Sequence, residues 1–135
     1  MSQPQMKDAD YALLADFRAT LRTFMAFSET QARNAGLTPQ QHQALLTIRG
    51  TPIGTATVGY VAERLILKPH SASGLLSRLE EAGWVLREPD PTDQRKTFLR
   101  LTAEAEQLLE SLSRAHLEEL SNLKPQLLSM INQFC

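Results

Sequence analysis

The stretch LEEAGWVLREPDPTDQRKTFLRLT, residues 79–102, limits what this chain can fold into more than any other. A helical segment stops at Gly83, and the apolar strand Trp84-Val85-Leu86 follows. Pro89-Asp90-Pro91-Thr92-Asp93 then makes a stiff, polar hinge, with Arg95 and Lys96 just beyond its tip. From Thr97 to Leu101 the chain alternates Leu99 and Leu101 with Phe98 and Arg100, the period of a half-buried strand. Two short strands around a turn of this composition predict a β-hairpin. The hairpin follows directly on a helix, so its cationic tip projects from a helical body.

The rest of the chain reads as helix. Asp8 or Asp10 suits a helix start, and Leu14, Phe17, Leu21, Phe24 and Ser28 then recur at intervals of three and four, predicting one apolar stripe. Asn34-Ala35-Gly36 is the expected stop. Thr38-Pro39-Gln40-Gln41 is the clearest helix start in the sequence, with Thr38 as cap, Pro39 at the first helical position and Gln41 closing a capping box. That helix turns Ala44, Leu45 and Ile48 inward and ends at Gly50. Thr57 caps a short third helix, Val58 to Leu65, in which Val61, Ala62 and Leu65 share a face. Ile66-Leu67-Lys68 is a tight turn, and Pro69 opens a fourth helix whose apolar stripe is Ala72, Leu75, Leu76, Leu79 and Ala82. After the hairpin, Thr102 caps a fifth helix carrying Leu108, Leu109, Leu112, Ala115 and Leu120. Pro125 is expected to interrupt it, leaving Leu127, Leu128, Ile131 and Phe134 on a final short helix.

At 135 residues the chain fits one domain with a core of its own. No apolar run approaches the roughly 18 residues that a membrane span needs. The opening MSQPQMKDAD is polar, without the apolar centre of a signal peptide, and the single cysteine, Cys135, forms no internal disulfide. Both fit a cytoplasmic protein. The net charge of −1 does not by itself announce a polyanion as partner, but its distribution is uneven. Residues 1–63 balance; residues 64–100 hold seven Lys and Arg against five acids; residues 101–135 hold two against five. The basic excess coincides with the fourth helix and the hairpin.

Short helix, three-residue turn, second helix, hairpin: this order is a helix-turn-helix followed by a wing. A helix that enters a major groove about 12 Å wide needs small or hydrogen-bonding side chains on its outer face. His70, Ser71, Ser73, Gly74, Ser77 and Arg78 supply them, with no Glu or Lys between residues 69 and 77. The segments LTPQQHQALLTI, TVGYVAERL and SGLLSRLEEAGWVLREPDPTDQRKTFLRLT together resemble the MarR family of bacterial transcription regulators, over about residues 37–110. The most specific part is Asp93-Gln94-Arg95 followed by an alternating strand and Leu101-Thr102, after a Leu79-Glu80-x-x-Gly83 helix end.

The resemblance implies a mainly α-helical fold in a single domain, residues 1–135. A winged helix-turn-helix lobe at 37–102 binds DNA, and dimerisation helices lie at 8–36 and 103–134. It implies a homodimer on a pseudo-palindromic duplex site, acting as a repressor that a small aromatic or anionic effector releases. Lys68, Arg78, Arg87, Lys96 and Arg100 are expected on phosphates, and His70, Ser71, Ser73 and Ser77 in the major groove beside Pro69 and Gly74. Arg95 is expected in the minor groove, with Asp93 orienting it or holding the turn. Arg18, Arg22 and His42 are candidates to meet an anionic effector in a crevice between the dimerisation helices and the DNA-binding lobe. The competing reading is a winged-helix protein-interaction module that binds no DNA. Three histidines on three helices, without metal-ligand spacing, point to no zinc site. No phosphate loop or oriented nucleophile points to an enzyme or a cofactor.

Overall fold

The computed structural model describes residues 3–134, so Cys135 lies outside the described residues. Its elements run α1 (Asp8–Asn34), α2 (Pro39–Arg49), α3 (Val58–Leu65), α4 (Pro69–Glu81), β1 (Val85–Pro89), β2 (Thr97–Leu101) and α5 (Ala103–Asn132). β1 and β2 form an antiparallel hairpin with Val85 opposite Leu101 and Pro89 opposite Thr97, so the first strand runs further toward the tip than its apolar residues suggest. Leu45, Val61, Leu76, Leu79 and Val85 are fully buried where α2, α3, α4 and the hairpin base meet, and Ala105, Leu109 and Leu112 of α5 extend that core.

The boundaries follow from local chemistry. Thr38 caps α2 by accepting from the Gln41 amide at 3.1 Å, while the Gln41 side chain accepts from the Thr38 amide at 3.0 Å. α4 ends as the Leu-Glu-x-x-Gly pattern requires: Gly83 takes φ +83° and the Trp84 amide donates back to the Leu79 carbonyl at 2.9 Å. Ala82, placed on the apolar stripe of α4 by its spacing, is the C-cap instead and is exposed. α3 ends in the same wrapped geometry, with Leu67 donating to Ala62, yet the residue in the left-handed region is Ile66, at φ +55°. A β-branched residue there is strained by roughly 1–2 kcal/mol. Its side chain is almost wholly in water.

Two expectations about the long helices are corrected. The buried side of α1 is the row Leu13, Phe17, Thr20, Phe24 and Phe27, whereas Leu14 and Leu21 are about half exposed and belong, with Tyr11 and Met25, to a second apolar face. Alternating leucines and phenylalanines satisfy two adjacent stripes, and only the position of α5 decides which one is inside. The second correction concerns Pro125, which does not break α5; the helix is continuous for 30 residues. Proline removes one hydrogen bond, to the carbonyl four residues back, but Ser121 and Pro125 both lie at the surface, where water satisfies the freed carbonyl. Contacts on either side of the proline hold the helix to α1. Phe134 packs edge-on against Phe17 at 5.7 Å, Met130 is buried with its sulfur 4.0 Å from the Thr20 hydroxyl, and His116 meets Phe24 and Phe27. The pairing runs antiparallel.

Candidate nucleic-acid interface

α3, the Ile66–Lys68 turn and α4 form a helix-turn-helix, and α4 buries Ala72, Leu75, Leu76 and Leu79. The opposite side therefore presents His70, Ser71, Ser73, Ser77 and Arg78, all exposed, with Gly74 half-buried among them. Lys68 and Pro69 stand exposed at the helix entrance. No side-chain cap is made there, so the start of α4 relies on the fixed φ of Pro69.

The hairpin tip is organised by two carboxylates. Asp90 accepts from both the amide and the hydroxyl of Thr92, each at 2.8 Å, and these bonds hold its carboxyl below the usual carboxylate range. Its own amide donates to the Lys96 carbonyl at 2.9 Å, closing the loop. Asp93 accepts from the Arg95 amide at 3.0 Å and from Arg95 Nε at 3.2 Å, so one oxygen both holds the turn and aims the guanidinium. The Arg95 side chain is 91% exposed. It is a cation fixed at its root and free at its end.

The base of the hairpin is tied to its neighbours. Leu99 donates to the Ala56 carbonyl at 2.8 Å, joining β2 to the segment before α3. The Thr102 hydroxyl donates to the Gly83 carbonyl at 2.8 Å and accepts from the Ala105 amide, so one residue caps α5 and pins the exit of α4. The remaining cations differ in availability. Arg87 is paired with Glu80 and Arg100 with Glu88, both at 3.4 Å, whereas Lys68 and Arg78 make no ion pair among the described residues.

The suggested effector residues are not brought together. Arg18 and Arg22 project from the side of α1 opposite the Phe17–Thr20–Phe24 row, while His42 is 97% buried on α2. Geometry gives His42 a different companion, His116 of α5, with ring centroids 4.9 Å apart. His116 Nδ1 lies 2.7 Å from the Leu112 carbonyl, which can only accept; the neutral ring therefore carries its proton there, and Nε2 accepts from the Ser28 hydroxyl at 2.9 Å. His42 Nδ1 has no hydrogen-bond partner among the described residues. Burial and the neighbouring His116 push its pKa below the ordinary 6.5. Seventy-four positions separate the two histidines, so no spacing motif could have revealed the pair.

Comparison with known proteins agrees with this geometry. The MarR family profile matches residues 35–96, from the end of α1 through the wing tip. The HTH-type transcriptional regulator FarR of Neisseria gonorrhoeae is 32% identical over 101 residues, covering 75% of this chain and 60% of FarR. Across the curated relatives it matches, the chain spans between 53% and 66% of their length. Among solved structures, NadR in complex with 4-hydroxyphenylacetate superposes with a TM-score of 0.70 at 27% identity, over 94% of this chain and 86% of NadR. A MarR family protein from Bacillus stearothermophilus gives a TM-score of 0.74 at 23% identity, over 88% of this chain and 82% of that one. With the wing, the helix-turn-helix and the profile match in agreement, the chain has the winged-helix fold of MarR family proteins and is similar to that family over residues 35–96.

Proposed function

We propose that this protein is a sequence-specific regulator of transcription that binds duplex DNA as a homodimer and represses from a pseudo-palindromic site. The observation that carries the reading is the wing tip, where Asp93 holds Arg95 by its backbone and its guanidinium and leaves the end of the side chain exposed. A guanidinium is planar and weakly hydrated, so it suits a narrow minor groove in which negative potential is focused. Residues 37–102 form the DNA-binding lobe in this reading, and 8–36 with 103–134 form the dimerisation arms. His70, Ser71, Ser73 and Ser77 face the major groove with Pro69 and Gly74 beside them. Lys68 and Lys96 meet phosphates, and Arg87 and Arg100 join them only by sharing or giving up Glu80 and Glu88. The 32% identity with FarR, itself a transcriptional regulator by name, supports the assignment. Release by a small aromatic or anionic effector is part of the same proposal, supported by the likeness to NadR with its bound 4-hydroxyphenylacetate.

Duplexes selected from random sequence by the wild-type protein test this reading. Arg95→Ala is expected to cost about 1–3 kcal/mol and relax preference at flanking A·T positions. Lys96→Ala is expected to weaken all duplexes alike and reduce the salt slope by roughly one unit. Equal, sequence-independent losses for both variants overturn the minor-groove role of Arg95. If the wild-type protein binds no duplex, the wing belongs to a protein-interaction module instead.

A further inference from the structure

The outward side of α4 carries a glycine close to its centre. With Ala72, Leu75, Leu76 and Leu79 buried, a rotation of about 100° per residue puts Gly74 near the opposite pole, in one row with His70 and Arg78. Only proline is a worse residue than glycine in a helix interior, so this position calls for a reason. The fold supplies none. Gly74 is not among the residues with positive φ, and a Cβ built there would meet one neighbour only, Arg78 Nη2 at 3.8 Å, an ordinary contact.

That neighbour is itself informative. Side chains on a helix lean toward its N-terminus, and Arg78 follows this direction for a full turn, which brings its guanidinium over the bare backbone of Gly74. The guanidinium is thereby drawn from the flank of α4 toward the pole of the outward face. Arg87, Arg95 and Arg100 each hold an acidic partner, whereas Arg78 holds none among the described residues. Arg78 is exposed and makes no side-chain hydrogen bond among the described residues, so its five N–H donors are available, although it also borders a shallow groove with Thr38, Pro39 and Gln41 at the start of α2. The serines around it, which donate or accept equally well, discriminate weakly between bases.

We infer that Arg78, laid back over Gly74, is the base-reading residue of α4, and that it recognises a guanine through O6 and N7 in the major groove. The inference rests on the DNA-binding reading above and gives Arg78 a role other than the phosphate contact its charge suggests. Two parallel donors match the two acceptors that guanine alone presents on that edge. A Cβ at position 74 would only touch the guanidinium, but a side chain reaching further would take the room in which it lies.

The test uses the full chain and the duplex it selects, together with duplexes in which each G·C pair is replaced singly by A·T. Wild-type protein is expected to lose roughly 10- to 100-fold in affinity at one such pair in each half-site. Arg78→Lys keeps the charge and loses the fork. Its ammonium can still reach the guanine acceptors but without the planar two-point match, so it is expected to lose part of the affinity and part of the preference for that pair, with the salt slope unchanged. Gly74→Leu, folded by circular dichroism, should show the same loss of discrimination because its side chain takes the space of the guanidinium. The inference is overturned if Arg78→Ala, which has no donor to offer, still discriminates that pair as wild type does. It is equally overturned if Arg78→Ala weakens every duplex alike and lowers the salt slope by about one unit, the mark of a phosphate contact. A wild-type protein that binds duplexes and shows no G·C preference removes the guanine assignment alone, whereas one that binds no duplex removes the DNA-binding reading with it.

Discussion

Replacing Leu117 with glutamate is the most direct probe of the proposed dimer. Leu117 is 66% exposed on α5 and lines an open apolar groove with Leu120, Leu127 and Leu128. Full burial of a leucine side chain contributes about 1.5–3 kcal/mol, so covering the exposed two-thirds contributes about 1–2 kcal/mol in each subunit. A two-fold interface uses the same patch twice, which brings the loss in Leu117→Glu to about 2–4 kcal/mol before any repulsion between the introduced charges. That corresponds to a rise in the dimer dissociation constant of roughly 30-fold to several hundred-fold. Sedimentation velocity over a concentration series measures it directly. The far-UV spectrum should stay helical, because Phe17–Phe134 and Thr20–Met130 join α1 to α5 within one chain. A monomeric variant should also bind a two-half-site duplex much more weakly through lost avidity, while its affinity for a single half-site holds. An unchanged dissociation constant refutes the reasoning, as does a folded wild-type monomer at micromolar concentration.

Two further outcomes are expected. The folded chain favours neutral His42, so the unfolded chain takes up a proton first as pH falls; stability should be flat above about 6.5 and decline below it, and His42→Leu should flatten that decline in thermal melts at a series of pH values. An unaltered slope in the variant would assign the pH dependence elsewhere. Pro125→Ala restores a helical N–H and removes a ring clash, worth about 3 kcal/mol in a helix interior, against about 0.4–1 kcal/mol of added freedom in the unfolded chain; the net gain of about 2 kcal/mol should raise Tm by several degrees. No rise in Tm would refute the cost assigned to the proline ring within α5.

What the sequence discloses and what it withholds divide along physical lines. Caps are legible because their chemistry is local. Thr38-Pro39-Gln40-Gln41 and Leu79-Glu80-x-x-Gly83 contain both partners of the bonds that end or begin a helix, and the hairpin register follows from the buried alternation of Leu99 and Leu101. The rotation of α1 is not legible, since Leu13 and Leu14 are equally apolar and α5, about a hundred residues away, chooses between them. Pro125 misleads because its penalty is local and known while the packing that offsets it is distant. At the candidate interface, serine content and the Asp93-Gln94-Arg95 motif mark the surface, but the pairing of Arg87 and Arg100 with acids arises only in the folded chain. Ile66 is missed for a related reason: nothing in the triplet Ile66-Leu67-Lys68 announces that its first residue takes a conformation usually left to glycine.

α5 also has a mechanical consequence. It is an unbroken rod of 30 residues, about 45 Å long at 1.5 Å per residue, and its first turn is fastened through Thr102 to the carbonyl that closes α4. At that length a swing of about 5° at one end moves the other by roughly 4 Å. In the proposed dimer the two copies of α4 must sit about one helical turn of DNA apart, roughly 34 Å, so a shift of that size is more than a tenth of the required span. Small changes of angle where the two copies meet are thereby converted into changes of spacing where each would touch its half-site. The proline lies in the outer third of the rod, far along the helix from the Thr102 fastening, and so leaves the stiffness of the inner portion intact.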